Sequence, residues 1–103
     1  MARDRQTLHN KLKEILGSTN VYFQPPENVK LNYPCIIYAR NNTYPQYANN
    51  DKYLTHDRYE IILIYREPDS ALPKALLNSL RYCRLDRHYI QDNLYHDAFN
   101  LYY

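Results

Sequence analysis

The chain has 103 residues, 45% of them hydrophobic, and a formal net charge of +2 at pH 7. This suits a single domain with one core spanning residues 1–103. The charge is too close to neutral to indicate nucleic-acid binding by itself. The N-terminal sequence lacks the apolar segment of a signal peptide, and no apolar run approaches the ~20 residues of a membrane span. We therefore expect a soluble protein of cytoplasmic synthesis with no membrane partner.

Tyrosine is unusually frequent: the chain has 13 tyrosines, two phenylalanines, no tryptophan and one glycine. Asparagine is also common. Side chains with an apolar body and a hydrogen-bonding tip are typical of protein interfaces. Coding bias of the source genome is an alternative explanation, and it applies better to asparagine than to tyrosine. The composition favours a protein that functions through contacts with other proteins.

The first third of the chain predicts one helix and two strands. Residues 3–16 carry an apolar stripe at helical spacing, formed by Leu8, Leu12, Ile15 and Leu16. Gly17 follows directly, where a left-handed C-terminal residue is favoured. Residues 21–24 form a short strand that Pro25 and Pro26 end, and residues 34–40 form a second strand.

Residues 41–56 form a long polar segment between two predicted strands. A connection of this length in a small domain is usually functional or mobile. Tyr44, Tyr47 and Tyr53 punctuate it, and exposing three tyrosine rings without purpose is unfavourable. We interpret the segment as a protruding interface loop, with simple disorder as the alternative.

Residues 57–66 give the strongest strand pattern in the sequence. Alternation places Tyr59, Ile61, Leu63 and Tyr65 on one face, and Arg58, Glu60, Ile62, Ile64 and Arg66 on the other. The middle of the strand is apolar on both faces, so it needs a cover on each side and should lie centrally in a sheet. We name Arg58, Ile62, Ile64 and Arg66 as interface candidates, together with the three loop tyrosines.

The last third predicts a second helix and a hairpin. Asp69 or Ser70 can cap a helix that has Pro73 in its first turn and ends near Tyr82. Residues 88–91 and 97–103 read as strands joined around Asp92-Asn93. The fold class is therefore α+β: a mainly antiparallel sheet of four or five strands with two helices packed on one face. The other face lacks a cover of its own, which favours assembly.

No arrangement of residues predicts catalysis, a cofactor or a metal site. Three His/Asp groupings occur, at 56–57, 86–88 and 96–97, and a metal site or an acid/base pair is the alternative interpretation of them. In the adjacent pairs 56–57 and 96–97, however, the two side chains point to opposite faces of a strand and cannot chelate one ion. Cys35 and Cys83 lie far apart among apolar or aromatic neighbours, as buried free thiols do. Nucleic-acid binding is a second possibility, since arginines alternate with tyrosines near the end of the second helix. These residues are Arg81, Tyr82, Arg84, Arg87 and Tyr89.

Three segments carry a resemblance to a known family. Residues 21–38 (Val-Tyr-Phe-Gln-Pro-Pro through Cys-Ile-Ile-Tyr), 59–70 (ending Arg-Glu-Pro-Asp-Ser) and 83–103 are similar to small virion proteins of tailed bacteriophages. The resemblance is to the tail completion or tail terminator proteins of the neck, and it covers nearly the whole chain through overall pattern rather than a catalytic motif.

The resemblance implies a homo-oligomeric ring, commonly a hexamer, that caps the tail tube and joins it to the head connector. Genomic DNA would pass through the lumen without sequence-specific binding. The partners implied are further copies of the chain, a connector or neck protein and the tail tube protein. The implied location is the neck of the virion, after synthesis in the cytoplasm of the host bacterium. Another connector component, a stopper or adaptor, is the alternative role.

Overall fold

The computed structural model describes residues 4–41 and 57–103. In these residues two helices and five strands follow one another along the chain. They are α1 (Arg5–Leu16), β1 (Val21–Phe23), β2 (Cys35–Arg40), β3 (Arg58–Tyr65), α2 (Leu72–Ser79), β4 (Cys83–Gln91) and β5 (Leu94–Tyr102). The predicted α+β class is confirmed, as is the mostly antiparallel sheet.

The five strands form one sheet in the order β1-β2-β3-β5-β4. The strand β1 runs parallel to β2, and the other three pairings are antiparallel. The strand β3 pairs with β2 over six residues and with β5 along its whole length. It is the middle strand, as its two apolar faces predicted.

Both helices pack on the same face of the sheet. Leu8, Leu12 and Leu16 of α1 and Leu76 of α2 are buried in one cluster with Ile61 and the other inward side chains of β3. Gly17 adopts the left-handed conformation (φ 78°) that ends α1. Within the described residues, neither helix has the length and apolar character needed to cross a lipid bilayer.

The second helix is shorter than predicted. It ends at Ser79 rather than near Tyr82, because Leu80 is already extended (φ −117°, ψ 125°). The N-cap position is Ala71, one residue after the predicted Ser70. The Ser70 hydroxyl still accepts a hydrogen bond from the Leu72 amide at 3.2 Å, so the serine stabilises the turn that precedes the helix.

The hairpin β4–β5 is confirmed but is longer than the two predicted strands. Asp92 and Asn93 both have positive φ angles (55° and 62°), as a two-residue type I′ turn requires. The strand β4 begins at Cys83 rather than His88, and β5 begins at Leu94 rather than Asp97 and ends at Tyr102. Most of β4 is exposed, so its residues lack the apolar alternation by which a strand is recognised in a sequence.

The first turn of α1 is tied to the sheet through the hydroxyl of Tyr38. Arg5 donates a hydrogen bond to this hydroxyl at 3.1 Å, and His9 Nδ1 lies 2.7 Å from it. Because Arg5 can only donate, the Tyr38 proton is best placed on the bond to His9, whose Nδ1 then accepts as neutral imidazole. Burial lowers the pKa of His9, with further lowering from the charges of Lys13 and Arg5.

We expect the free energy of unfolding to fall as the pH drops below 6.5, the ordinary pKa of His9. The pKa is lower in the folded protein, so below 6.5 the unfolded chain binds the proton first and is stabilised. Denaturant unfolding above and below this pH measures the effect. His9→Gln, which keeps an acceptor but no titration, should lose this component; an unchanged pH dependence in the variant would show that His9 is not its source.

Candidate functional site

The two faces of the sheet differ in what covers them. Side chains of β3 alternate strictly: Tyr59, Ile61 and Leu63 are buried beneath the helices, whereas Ile62 points to the opposite side and is half-buried. We call this opposite side the far face. Among residues 4–41 and 57–103, no helix packs on it. The far face is therefore a candidate binding surface.

An apolar depression lies on the far face across β2 and β3. Ile37 and Ile62 are directly paired across the two strands, and Ala39 is paired with Glu60. These side chains, with Tyr38, Arg40 and Asn41, line a cavity of about 200 Å³. Ile37, Ala39, Glu60 and Ile62 are all half-buried. We call these four residues the far-face pocket: a shallow apolar site with one carboxylate at its margin.

The other half of the far face, on β5 and β4, is basic and aromatic. Tyr89 of β4 stacks on His96 of β5 with 4.8 Å between ring centres, and Arg87 lies 5.4 Å from the Tyr89 ring. Arg84 faces the same side, next to a groove of about 350 Å³. The groove is lined by Arg58, Arg84, Leu85, Asp86, Asn100 and Tyr102. This half of the far face therefore presents cationic and aromatic side chains rather than aliphatic ones.

The edge strand β4 carries a second apolar surface, on the side of the helices. Leu85 is paired with Phe99 and Ile90 with Tyr95, so both point to the helix-covered side. They are nevertheless 50% and 65% exposed, the two exposed large hydrophobic side chains among the described residues. His88 lies between them on the same side. We call Leu85, His88 and Ile90 the edge strip.

Beside the edge strip, a buried carboxylate joins three strands. Asp97 of β5 is 4% exposed. One of its oxygens accepts a hydrogen bond from the Tyr65 hydroxyl of β3 at 2.9 Å, and the other contacts Nδ1 of His88 on β4. Burial and the bond to Asp97 raise the pKa of Tyr65 to about 12. The Tyr95 ring stacks on the Tyr65 ring with 5.5 Å between ring centres, and on the His88 ring with 5.9 Å between ring centres.

This network links the turn-proximal half of the β4–β5 hairpin to β3. Asp97 and His88 sit opposite each other in the β4–β5 register, so their contact fixes the orientation of the imidazole on an otherwise exposed strand. The His88 side chain remains 48% exposed. The buried carboxylate therefore fixes the side chain of His88 within the edge strip.

The predicted interface residues are placed differently from one another. Arg58 donates a hydrogen bond to Asn100 at 3.2 Å on the far face, and Arg66 is exposed, 5.5 Å from the Tyr33 ring. Ile62 lies in the far-face pocket, whereas Ile64 is only 5% exposed and offers little surface. The tyrosines 44, 47 and 53 lie outside the described residues. Of these candidates, Ile62 has the strongest geometric support.

The described residues do not assemble a recognisable catalytic or metal site. No group of three or more His, Cys, Asp or Glu side chains among them lies close enough to hold a metal ion. Cys35 and Cys83 are free thiols; Cys35 is buried as predicted, whereas Cys83 is half-buried. Burial raises their pKa to about 11 and about 12, respectively, which disfavours the reactive thiolate. His96 and Asp97 point to opposite faces, as predicted from their adjacency.

The predicted arginine–tyrosine cluster does not form a single surface. Arg81 lies 5.5 Å from the Tyr82 ring, in the connection between α2 and β4. Together with Lys11 and residues 101–103, it lines a cavity of about 420 Å³. Arg84 and Arg87 instead face the far side of β4. The five residues are therefore divided between two regions of the molecule.

Comparison with known proteins adds no assignment: no protein-family model, curated protein or solved structure gives a significant match to this chain. What the geometry defines is an α+β protein with a one-sided helix layer and two separate apolar surfaces. The first is the far-face pocket and the second is the edge strip.

Reasoning from the sequence missed the edge strip and the Asp97 network. The pairing register shifts between Leu85 and Arg87, so Asp86 is an extra residue in β4. Strict alternation would place Leu85 and Ile90 on opposite faces, but the extra residue brings them to the same face. The acidic and histidine residues of the network are separated in sequence and meet only through strand pairing.

Proposed function

We propose that this chain is a structural protein of a tailed-phage neck, acting as a tail completion or tail terminator protein. Copies of it associate into a ring, with six as the expected number from the resemblance. The ring caps the tail tube and joins it to the head connector, and genomic DNA passes through its lumen. The activity is assembly, and no bond is made or broken.

The observation that carries the proposal is the far-face pocket. It presents Ile37 and Ile62, both half-buried, on the sheet face that neither helix covers. A second protein surface would remove the remaining exposed part of these branched apolar side chains from water at roughly 25 cal/mol per Å². The resemblance to neck proteins further implies a sheet with two helices on one face, and the packing of α1 and α2 agrees with this part of it.

The proposal is tested by the solution mass of Ile62→Asp beside the parent chain. We expect the parent to run as a closed oligomer in light scattering or native mass spectrometry, and the variant to run as a folded monomer. The aspartate would place an unpaired charge in a buried contact, which is strongly unfavourable. Circular dichroism and thermal unfolding establish that the variant is folded.

Asn78→Asp is the matched control, because Asn78 is exposed on α2 and receives the same charge away from the far face. It should assemble as the parent does. An Ile62→Asp variant that forms the full oligomer would remove the far face from the interface, and a parent chain that never exceeds its monomer mass, even with tail tubes present, would contradict the ring.

The basic and aromatic half of the far face supports a second candidate, a small nucleic-acid-binding protein. Arg84 and Arg87 with the stacked Tyr89 offer cations beside aromatic rings, as single-stranded nucleic acids favour. Asp86 lies among these cations, which weakens an attraction to phosphate. Salt-dependent affinity for DNA, abolished by Arg84→Gln with Arg87→Gln, would favour this candidate over the ring.

A further inference from the structure

The edge strand β4 has one side of its backbone unpaired. It is the last strand of the sheet, and among the described residues only β5 pairs with it. It extends over nine residues, most of them exposed. Such an edge presents a row of free N–H and C=O groups to which another strand can bind. The side chains of β4 decide which strand fits there.

The free backbone groups of β4 belong to the residues on its helix-covered side. The Tyr102 amide donates a hydrogen bond to the Tyr82 carbonyl at 3.2 Å, so these opposed residues form a hydrogen-bonded pair. Hydrogen-bonded and non-hydrogen-bonded pairs alternate in an antiparallel ladder, and the next residue of β4 therefore directs its backbone groups away from β5. Following the register, the outward-directed residues are Cys83, Leu85, His88 and Ile90.

The order in which the β4 side chains face the two sides of the sheet is the same from either end of the strand. Arg84, Arg87 and Tyr89 face the far side, and the other four face the helix-covered side. The extra residue Asp86 lines the groove of the far face with Arg84, so it lies on the far side as well. From residue 83 to residue 90 the sides are therefore helix, far, helix, far, far, helix, far, helix. A second β4 in antiparallel orientation matches this order at every position.

We propose that two copies of the chain pair through β4, antiparallel and about a two-fold axis between residues 86 and 87, so that their sheets continue as one. Leu85 then lies opposite His88 of the second copy, and Cys83 lies opposite its Ile90. These are the residues with outward-directed backbone groups, so a new ladder forms. Leu85 and Ile90, which are 50% and 65% exposed, become partly buried between the two edge strips.

The charges of β4 are complementary in the same register. Asp86 lies opposite Arg87 of the second copy on both sides of the axis, which gives two ion pairs. Within the described residues neither side chain has an ion pair. Arg84 lies opposite Tyr89 of the second copy, a cation beside an aromatic ring. A shift of one residue would put helix-side residues against far-side ones at all but the central position.

This inference does not rest on the proposed function. A two-fold contact ends at two copies and leaves the far-face pocket open on β2 and β3. In an assembly with both contacts, β4 would join one ring to another. One exposed edge buries little area, so we expect a dissociation constant of about 100 µM. Ile62→Asp should then be a monomer at low micromolar concentration and mostly a dimer at about 1 mM.

Cysteine cross-linking tests the register. Chains with Arg84→Cys are mixed with chains with Tyr89→Cys under mild oxidation, after Cys35→Ala and Cys83→Ala remove the native thiols. Opposed side chains of a non-hydrogen-bonded pair have Cβ atoms ~5 Å apart, near the separation in a disulfide. We expect a disulfide-linked heterodimer from the mixture. Each variant alone is the matched control and should give none, because identical positions would lie roughly 15 Å apart.

Two results of the cross-linking would overturn the inference. If the mixture forms no cross-link at about 1 mM, far above the expected dissociation constant, then β4 does not pair with itself. If Arg84→Cys cross-links with itself as readily as with Tyr89→Cys, the register is wrong. The experiment needs no change at Ile62, so it does not depend on the folding of Ile62→Asp.

A charge exchange tests the two ion pairs at the axis. In the Ile62→Asp background, Asp86→Arg and Arg87→Asp should each weaken the dimer by about tenfold, since each places like charges opposite one another twice. Mixed together, these two variants should form a heterodimer at least as tight as the unexchanged pair, because every opposed pair then joins unlike charges. Sedimentation equilibrium measures the three constants, with Asn78→Asp on α2 as the control. Equal constants would overturn the proposed register.

The outcomes separate this inference from the proposed function. A ring that forms without the specific cross-link keeps the proposed function and removes the β4 contact. A specific cross-link in a chain that never exceeds a dimer keeps the β4 contact and contradicts the ring. A chain that is monomeric at about 1 mM and forms no cross-link contradicts both.

Discussion

Asp97→Ala is expected to lower the free energy of unfolding by about 3 kcal/mol. The aspartate is 4% exposed and joins β3, β5 and β4 through Tyr65 and His88. Removing the carboxylate leaves the buried Tyr65 hydroxyl without its acceptor and frees the imidazole of His88. In a domain of this size the melting temperature should fall by ~15 °C, measured by calorimetry or circular dichroism.

A double-mutant cycle with Tyr65→Phe isolates the hydrogen bond from the rest of the network. Tyr65→Phe alone should cost less than Asp97→Ala, because it removes one partner of the carboxylate and leaves His88 in place. The two changes together should cost less than their sum. Strict additivity would indicate that the Tyr65–Asp97 bond contributes nothing to stability, contrary to its 2.9 Å geometry in a buried site.

Leu63→Ala is expected to destabilise the folded chain by about 3 kcal/mol, whereas Ile62→Ala should cost about 1 kcal/mol. The two residues are neighbours on β3. Leu63 is fully buried beneath the helices, and Ile62 is half-buried on the far face. Since a cavity in the core costs more than shortening a partly exposed side chain, only Leu63→Ala should lower the melting temperature strongly.

The same pair separates folding from assembly. Ile62→Ala should weaken association while the monomer remains stable, and Leu63→Ala should lower the stability of the monomer without removing any contact residue. Denaturant unfolding and light scattering on both variants give the comparison. Equal destabilisation by the two substitutions would mean that the far face is already packed within one copy, and the far-face pocket could not then be the assembly surface.

Much of the fold was predictable because local rules and tertiary packing agree. Residues 58–65 alternate between the two faces and are apolar on both faces in the middle, a pattern that correctly predicted the middle strand of the sheet. Gly17 and the Asp92-Asn93 pair occupy conformations with positive φ, which few residues adopt easily. In each case one physical requirement, apolar packing for the strand and a positive φ for the turns, restricts both the residue type and the local structure.

The candidate site was predictable only in part. Ile62 was expected at an interface and lies on the far face, whereas Ile64 is almost fully buried there. Alternation predicts the face to which a side chain points, but it does not predict how much of that side chain its neighbours bury. The length of β4 was also underestimated, because an edge strand with exposed side chains has no apolar pattern to mark its ends.

The α+β class, the central strand, the helix stripes and the turn of the hairpin follow from the sequence alone, since each depends on residues close together in the chain. The contacts of Asp97 with His88 and Tyr65, and the placement of Leu85 and Ile90 on one side of β4, become visible only in the folded protein. These arrangements depend on the register between strands and on the extra residue at Asp86. Register is set by the packing of the whole sheet, which places a one-residue shift beyond the reach of any local pattern.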